Sequence, residues 1–70
     1  MIKAKLNYTG NEKTIIEEVK IPQVPNINDG FNFRFRKMDA NFNAFTIESI
    51  DYWFKDGVFE GVDLYLKDEV

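Results

Sequence analysis

The chain opens on a strict alternation. Ile2, Ala4, Leu6 and Tyr8 are separated by Lys3, Lys5 and Asn7, a period of two that predicts a strand with one buried face and one wet face. Thr9, Gly10, Asn11 and Glu12 supply turn chemistry. Residues 14–21 alternate again, with Ile15, Val19 and Ile21 on one face and Glu17 as the polar exception among them. A rim position or a bulge at Glu17 would reconcile it with a buried face.

Pro22 and Pro25 end that run. Proline cannot donate to a ladder, so residues 21–30 are predicted to be an extended connection along the sheet edge, turned by Asn28, Asp29 and Gly30. Phe31, Phe33 and Phe35 then alternate with Asn32, Arg34 and Arg36, a third strand with a wholly aromatic face. Residues 37–41 are polar and turn-like, and residues 42–54 form a long fourth strand whose parity changes. Phe45, Ile47 and Trp53 share one parity and Ile50, Tyr52 and Phe54 the other. A strand that changes its buried face implies a bend or bulge.

Asp56-Gly57 stands between two aromatic and β-branched runs, the strongest short-range signal for a two-residue type I′ hairpin. In the last strand Val58, Val62, Leu64 and Leu66 hold one parity, with Gly61 as the expected bulge or close-approach point. Five strands, short connections and no helical periodicity predict one all-β domain over residues 1–70. Its architecture is a small five-stranded, SH3-like, partly open barrel, since curling is how so short a β chain limits naked edges.

Composition sharpens this. Seventy residues bury a modest fraction of their surface, and with no Cys the chain has neither disulfide nor thiolate metal site to support it. Seven Phe, three Tyr and one Trp must supply the core. The lack of His removes the commonest metal ligand and general base. We therefore expect no catalytic residues, no metal site and no cofactor. Lys3 and Lys5 interrupt the first apolar residues, and no apolar run approaches a membrane span of about 20 residues. The expectation is a cytoplasmic protein without a membrane partner.

Within the stretch from 19 to 31, VKIPQVPNINDGF, the residues Val24, Pro25, Ile27 and Asp29 form a V-P-x-I-x-D corner before an aromatic strand. This corner resembles that of short SH3-like β-barrel proteins of Gram-positive bacteria and of their phages and mobile elements. Asn28 stands where that pattern usually has Gly, and Asn tolerates the left-handed backbone such a turn needs. The resemblance implies a fold, and by association a phage-like setting. Small proteins there often act as host-takeover or anti-defence inhibitors, anti-CRISPR proteins among them.

The formal net charge of −3 is unevenly placed. Residues 1–44 hold seven Lys/Arg against five Asp/Glu, whereas residues 45–70 hold two against seven. Three candidate surfaces follow. Successive side chains of a strand face opposite sides, so Tyr52 and Trp53 cannot both point inward. Aromatics beside charge are what interface hot spots are made of. Tyr52, Trp53, Phe59, Glu60 and Asp63 are therefore the expected partner-binding residues, the partner being a host protein. Asp51, Asp56, Glu60 and Asp63, with Asp68 and Glu69 nearby, are the second surface, an acidic patch suited to a basic groove of a host protein in competition with nucleic acid. Its bland alternative is a solvated β face with Asp56 serving its turn. Arg34, Arg36 and Lys37 are the nucleic-acid-binding alternative, with Phe42 and Tyr8 available to stack on bases. Their bland alternative is cross-strand pairing with Glu48 or Glu18. A phage structural subunit or small homo-oligomer joined through exposed aromatics is the remaining reading.

Overall fold

The computed structural model describes residues 1–10, 13–36 and 43–69. They form five strands: β1 Ile2–Gly10, β2 Lys13–Ile21, β3 Gly30–Phe33, β4 Asn43–Lys55 and β5 Val58–Asp68. These make one sheet in the order β2-β1-β5-β4-β3, curled into a partly open barrel. The all-β, five-stranded class expected from the alternation holds. Neighbours pair antiparallel except β1 and β5, the first and last strands, which run parallel at the centre. That pairing joins residues nearly sixty positions apart, for instance Leu6 with Leu64.

The concave face carries the core. Ala4, Leu6 and Tyr8 of β1, Val62, Leu64 and Leu66 of β5, and Phe45 and Ile47 of β4 are buried, with Ile21 and Phe35. Aromatic rings close its far end. Phe35 lies 5.6 Å from Phe45 and 5.0 Å from Phe33, both edge to face, and Tyr8 lies 4.9 Å from Phe45, all within the range of favourable aromatic pairing.

The parity change in β4 has its cause in a register shift between Ile47 and Ser49, where Glu48 bulges out of the ladder. Before it Phe45 and Ile47 face the core; after it Ile50, opposite Leu64, continues the core face. A second shift lies between Trp53 and Phe54, which pair with Gly61 and Phe59. Gly61 itself lies against β1: a Cβ there would sit 2.5 Å from the Lys3 carbonyl oxygen. Asp56 and Gly57 have φ of 52° and 78°, the two left-handed residues of the expected type I′ turn. Asn28 is left-handed too, at φ 75°. Its N–H donates to the Ile47 carbonyl at 2.8 Å, and Ile47 N–H donates to the Asp29 carbonyl at 3.0 Å. The corner before β3 is thus tied into the sheet.

Several expectations are corrected. The third strand ends at Phe33; Phe35 lies beyond it yet is 1% exposed, because its ring packs against Tyr8, Phe33 and Phe45. The β1–β2 ladder is unbroken from Ile2–Ile21 to Gly10–Lys13, so no bulge relieves Glu17. It faces the core beside Leu6, and its Oε1 accepts the Arg36 backbone N–H at 3.0 Å. The Arg36 partner is thus Glu17, 3.8 Å from its Nε, rather than Glu18 or Glu48. β2 and β3 are the two edges of the open sheet, and Glu17 with Arg36 stitches the β2 edge to the segment after β3. Val58 does not share a face with Val62, because the second register shift turns it outward at 65% exposure.

Candidate functional site

Backbone pairing decides where the surface is unusual. β5 gains β1 as a neighbour only from Val62 onward, and β3 covers β4 only up to Thr46, with Asn28 and Asp29 holding Ile47. The end of the β4–β5 hairpin therefore stands as a two-stranded ribbon with no neighbour on either side among the described residues. Every residue from 51 to 60 is exposed. The molecule measures 38 × 22 × 22 Å with a radius of gyration of 12.3 Å, above the about 11 Å of a compact chain this long.

This ribbon is apolar on both faces. On the concave side Tyr52 stands opposite Val62, and Phe54 meets Phe59 edge to face at 5.6 Å. On the convex side Trp53 stands opposite Gly61, and Val58 lies nearer the tip. Tyr52, Trp53, Phe54, Val58 and Phe59 are between 40% and 65% exposed. A two-stranded ribbon is marginal in water without a packed face, and large clustered apolar exposure marks interaction surfaces.

The expected partner-binding residues therefore fall into two sets. Tyr52 and Phe59 line the concave side, whereas Trp53, Glu60 and Asp63 border a groove on the convex side. Phe54 and Val58 belong with them, although the sequence prediction omitted both. Phe54 was visible as the third consecutive aromatic; Val58 was hidden by its apparent parity with Val62.

The convex groove has a volume of about 320 Å³. Gly61 and Val62 lie along it, and its polar walls are Lys3, Lys5, Glu18, Glu60 and Asp63, with Trp53 as the aromatic one. Asp63 Oδ1 is shut off from solvent and accepts no hydrogen bond among the described residues. Asp51 stands directly across the ladder from Asp63, and its Oδ2 accepts the Tyr65 hydroxyl at 3.0 Å. That bond, with the surrounding negative charge of Asp51 and Asp63, holds the Tyr65 phenol above its ordinary value.

Of the basic alternative, two arginines fall within the described residues. Arg34 and Arg36 are exposed beyond the end of β3, and Lys37 and Phe42 lie outside the described residues. Tyr8, offered as a base-stacking residue, is core instead: it is 8% exposed and its hydroxyl donates to the Asp68 carboxylate at 2.8 Å. Among the described residues no group of three or more acidic, His or Cys side chains is placed to hold a metal ion. Among the described residues no helix is long and apolar enough to cross a membrane.

The fold and surface together define a small all-β half-barrel with an apolar hairpin arm. No protein-family model, no curated protein and no solved structure matches the chain.

Proposed function

We propose that this chain is a non-enzymatic protein-binding module that engages its partner through the arm at residues 51–60. The observation that supports it most is the arm itself: five large apolar side chains, on both faces of a ribbon, contributing little to the core. Folding leaves them in water, whereas docking would bury them at about 25 cal/mol per Å² of apolar area removed from water. The acidic residues around them, Asp51, Asp56, Glu60 and Asp63 against Lys55, favour a basic partner and disfavour self-association by like-charge repulsion. Within this reading the partner is a host protein that the module occludes sterically, as a phage or mobile-element inhibitor of the anti-CRISPR kind would, in the cytoplasm.

Capture from a Gram-positive cell lysate by the tagged chain, with and without nuclease, tests the reading. A stoichiometric protein retained after nuclease and lost in Trp53→Ala or Tyr52→Ala, with both variants folded, is the expected result. Capture that vanishes with nuclease, and with Arg34→Ala/Arg36→Ala, would transfer the function to nucleic acid. Capture unaffected by either arm variant would remove the arm from the interface.

A further inference from the structure

We infer that the convex groove beside the arm is a subsite for a guanidinium group, an arginine side chain of the protein partner, stacked on Trp53 and hydrogen-bonded to Asp63. This rests on the protein-binding reading and specifies what the partner presents.

Three observations converge. The first is the orphaned acceptor: Asp63 Oδ1 is buried and unpartnered among the described residues. An ionised carboxylate only accepts, so the missing partner is a donor, and a sealed, unpaired acceptor is costly to the chain that carries it. The sealed oxygen is not itself open to the groove, so a guanidinium donor pairs with it only as the carboxylate turns about its soft second side-chain torsion. The second is the bare indole. Trp53 is 53% exposed and its cross-strand neighbour is Gly61, which has no side chain to cover the ring. A larger residue at 61 is blocked by the Lys3 carbonyl, so the backbone arrangement that binds β1 to β5 also keeps that space open.

The third is charge. Glu18, Glu60 and Asp63 face Lys3 and Lys5 around the groove, with Asp51 next to Asp63 across the ladder. Lys5 stands opposite Glu18 on β2 as well as beside Asp63 on β5, and neither lysine comes within 4 Å of Asp63, since Arg36–Glu17 is the one ion pair found among the described residues. The surplus is negative and asks for a cation. A guanidinium fits better than an ammonium because its planar fork bonds a carboxylate bidentately while its face stacks on an aromatic ring. The groove volume, at the low end for ligand pockets, suits one side chain rather than a larger molecule.

The test uses the intact chain and a blocked arginine probe, N-acetyl-arginine methylamide, followed by amide and indole NMR shifts. The expected result is saturable movement of the Trp53 indole and Asp63 amide signals. Asp63→Asn should weaken binding by about tenfold, as loss of a charge-assisted hydrogen bond does, and the lysine analogue should bind more weakly. The citrulline analogue, which has nearly the same shape without charge, should not bind. Equal responses to arginine and citrulline, or no saturation because Lys5 closes on Asp63 in solution, would overturn the assignment. So would a chain mass above 8.2 kDa that Arg34→Ala or Arg36→Ala restores to that of one chain, since the guanidinium would then come from a second copy. Partner capture separates the two levels. If capture survives Asp63→Asn but is lost in Phe54→Ser/Phe59→Ser, the guanidinium subsite fails and the protein-binding reading stands.

Discussion

Gly61→Ala perturbs the point on which both the fold and the arm depend. The added Cβ meets the Lys3 carbonyl oxygen at 2.5 Å and the Lys3 carbonyl carbon and Cβ at 3.4 Å. Carbon–oxygen contacts between strands settle at about 3.3–3.6 Å, so β1 and β5 must separate by roughly 0.8 Å, the gap between that contact and the built one. The obstacle is the main chain of a strand held by β2 on its other side, and no flexible side chain can give way instead. Overpacking of this kind costs about 1–3 kcal/mol. A 70-residue domain has about 4–10 kcal/mol of total stability. A loss of about 2 kcal/mol would lower Tm by roughly 8–16 °C at this size.

Thermal unfolding followed by far-UV circular dichroism reads the effect. Amide exchange locates it, with faster exchange expected at Val62 and Leu64 and no change at Phe31 and Phe45. Gly30→Ala is the control: nothing lies within 4 Å of the added carbon and its φ is ordinary, so that variant should be neutral or gain up to about 1 kcal/mol. A Gly61→Ala chain melting within about 2 °C of the parent would refute the argument for a close β1–β5 approach.

Other expectations follow from the same packing. Phe35→Ala removes a ring that is 1% exposed and should cost about 3–5 kcal/mol, whereas Phe54→Ala, at 61% exposure, should stay within about 1 kcal/mol; denaturant melts measure both. Glu17→Ala leaves the exposed Arg36 N–H to water in place of its acceptor and should cost about 0.5–1.5 kcal/mol with faster exchange of that amide. Arg36→Ala should change stability by less than about 0.5 kcal/mol, because the ion pair is long and the guanidinium exposed. The Tyr8 phenol is held above its ordinary value by its hydrogen bond to Asp68, with burial and the Asp68 charge adding to it. Its stabilisation is therefore complete below the unfolded phenol's range near 10 and lost as pH rises through the higher folded value. Tyr8→Phe should flatten that part of the alkaline stability loss, measured by chemical denaturation between neutral and alkaline pH.

Local chemistry was readable from the sequence, and its non-local consequences were not. Asp56-Gly57, the left-handed Asn28 and the β4 parity change each state their backbone requirement within a few residues. The parallel pairing of β1 with β5 has no such local sign, because alternation says that a strand has a buried face and not which strand lies beside it. Glu17 looked like a fault in its strand because its partner, the Arg36 N–H, is nineteen residues away across the open end. The aromatic exposure on the arm was legible, since consecutive aromatics on a strand cannot share a face. Its division into two surfaces was hidden, because a single register shift between Trp53 and Phe54 reassigns Val58 and Phe59.

The central claim is that residues 51–60 are spare to the fold and used for a partner. The most direct measurement compares partner capture by the parent chain and by Tyr52→Ser/Phe54→Ser/Phe59→Ser, at matched folded populations set by circular dichroism. The account predicts a folded variant that no longer captures the partner. Equal capture by both chains, or a variant that unfolds because these side chains are core, would contradict it.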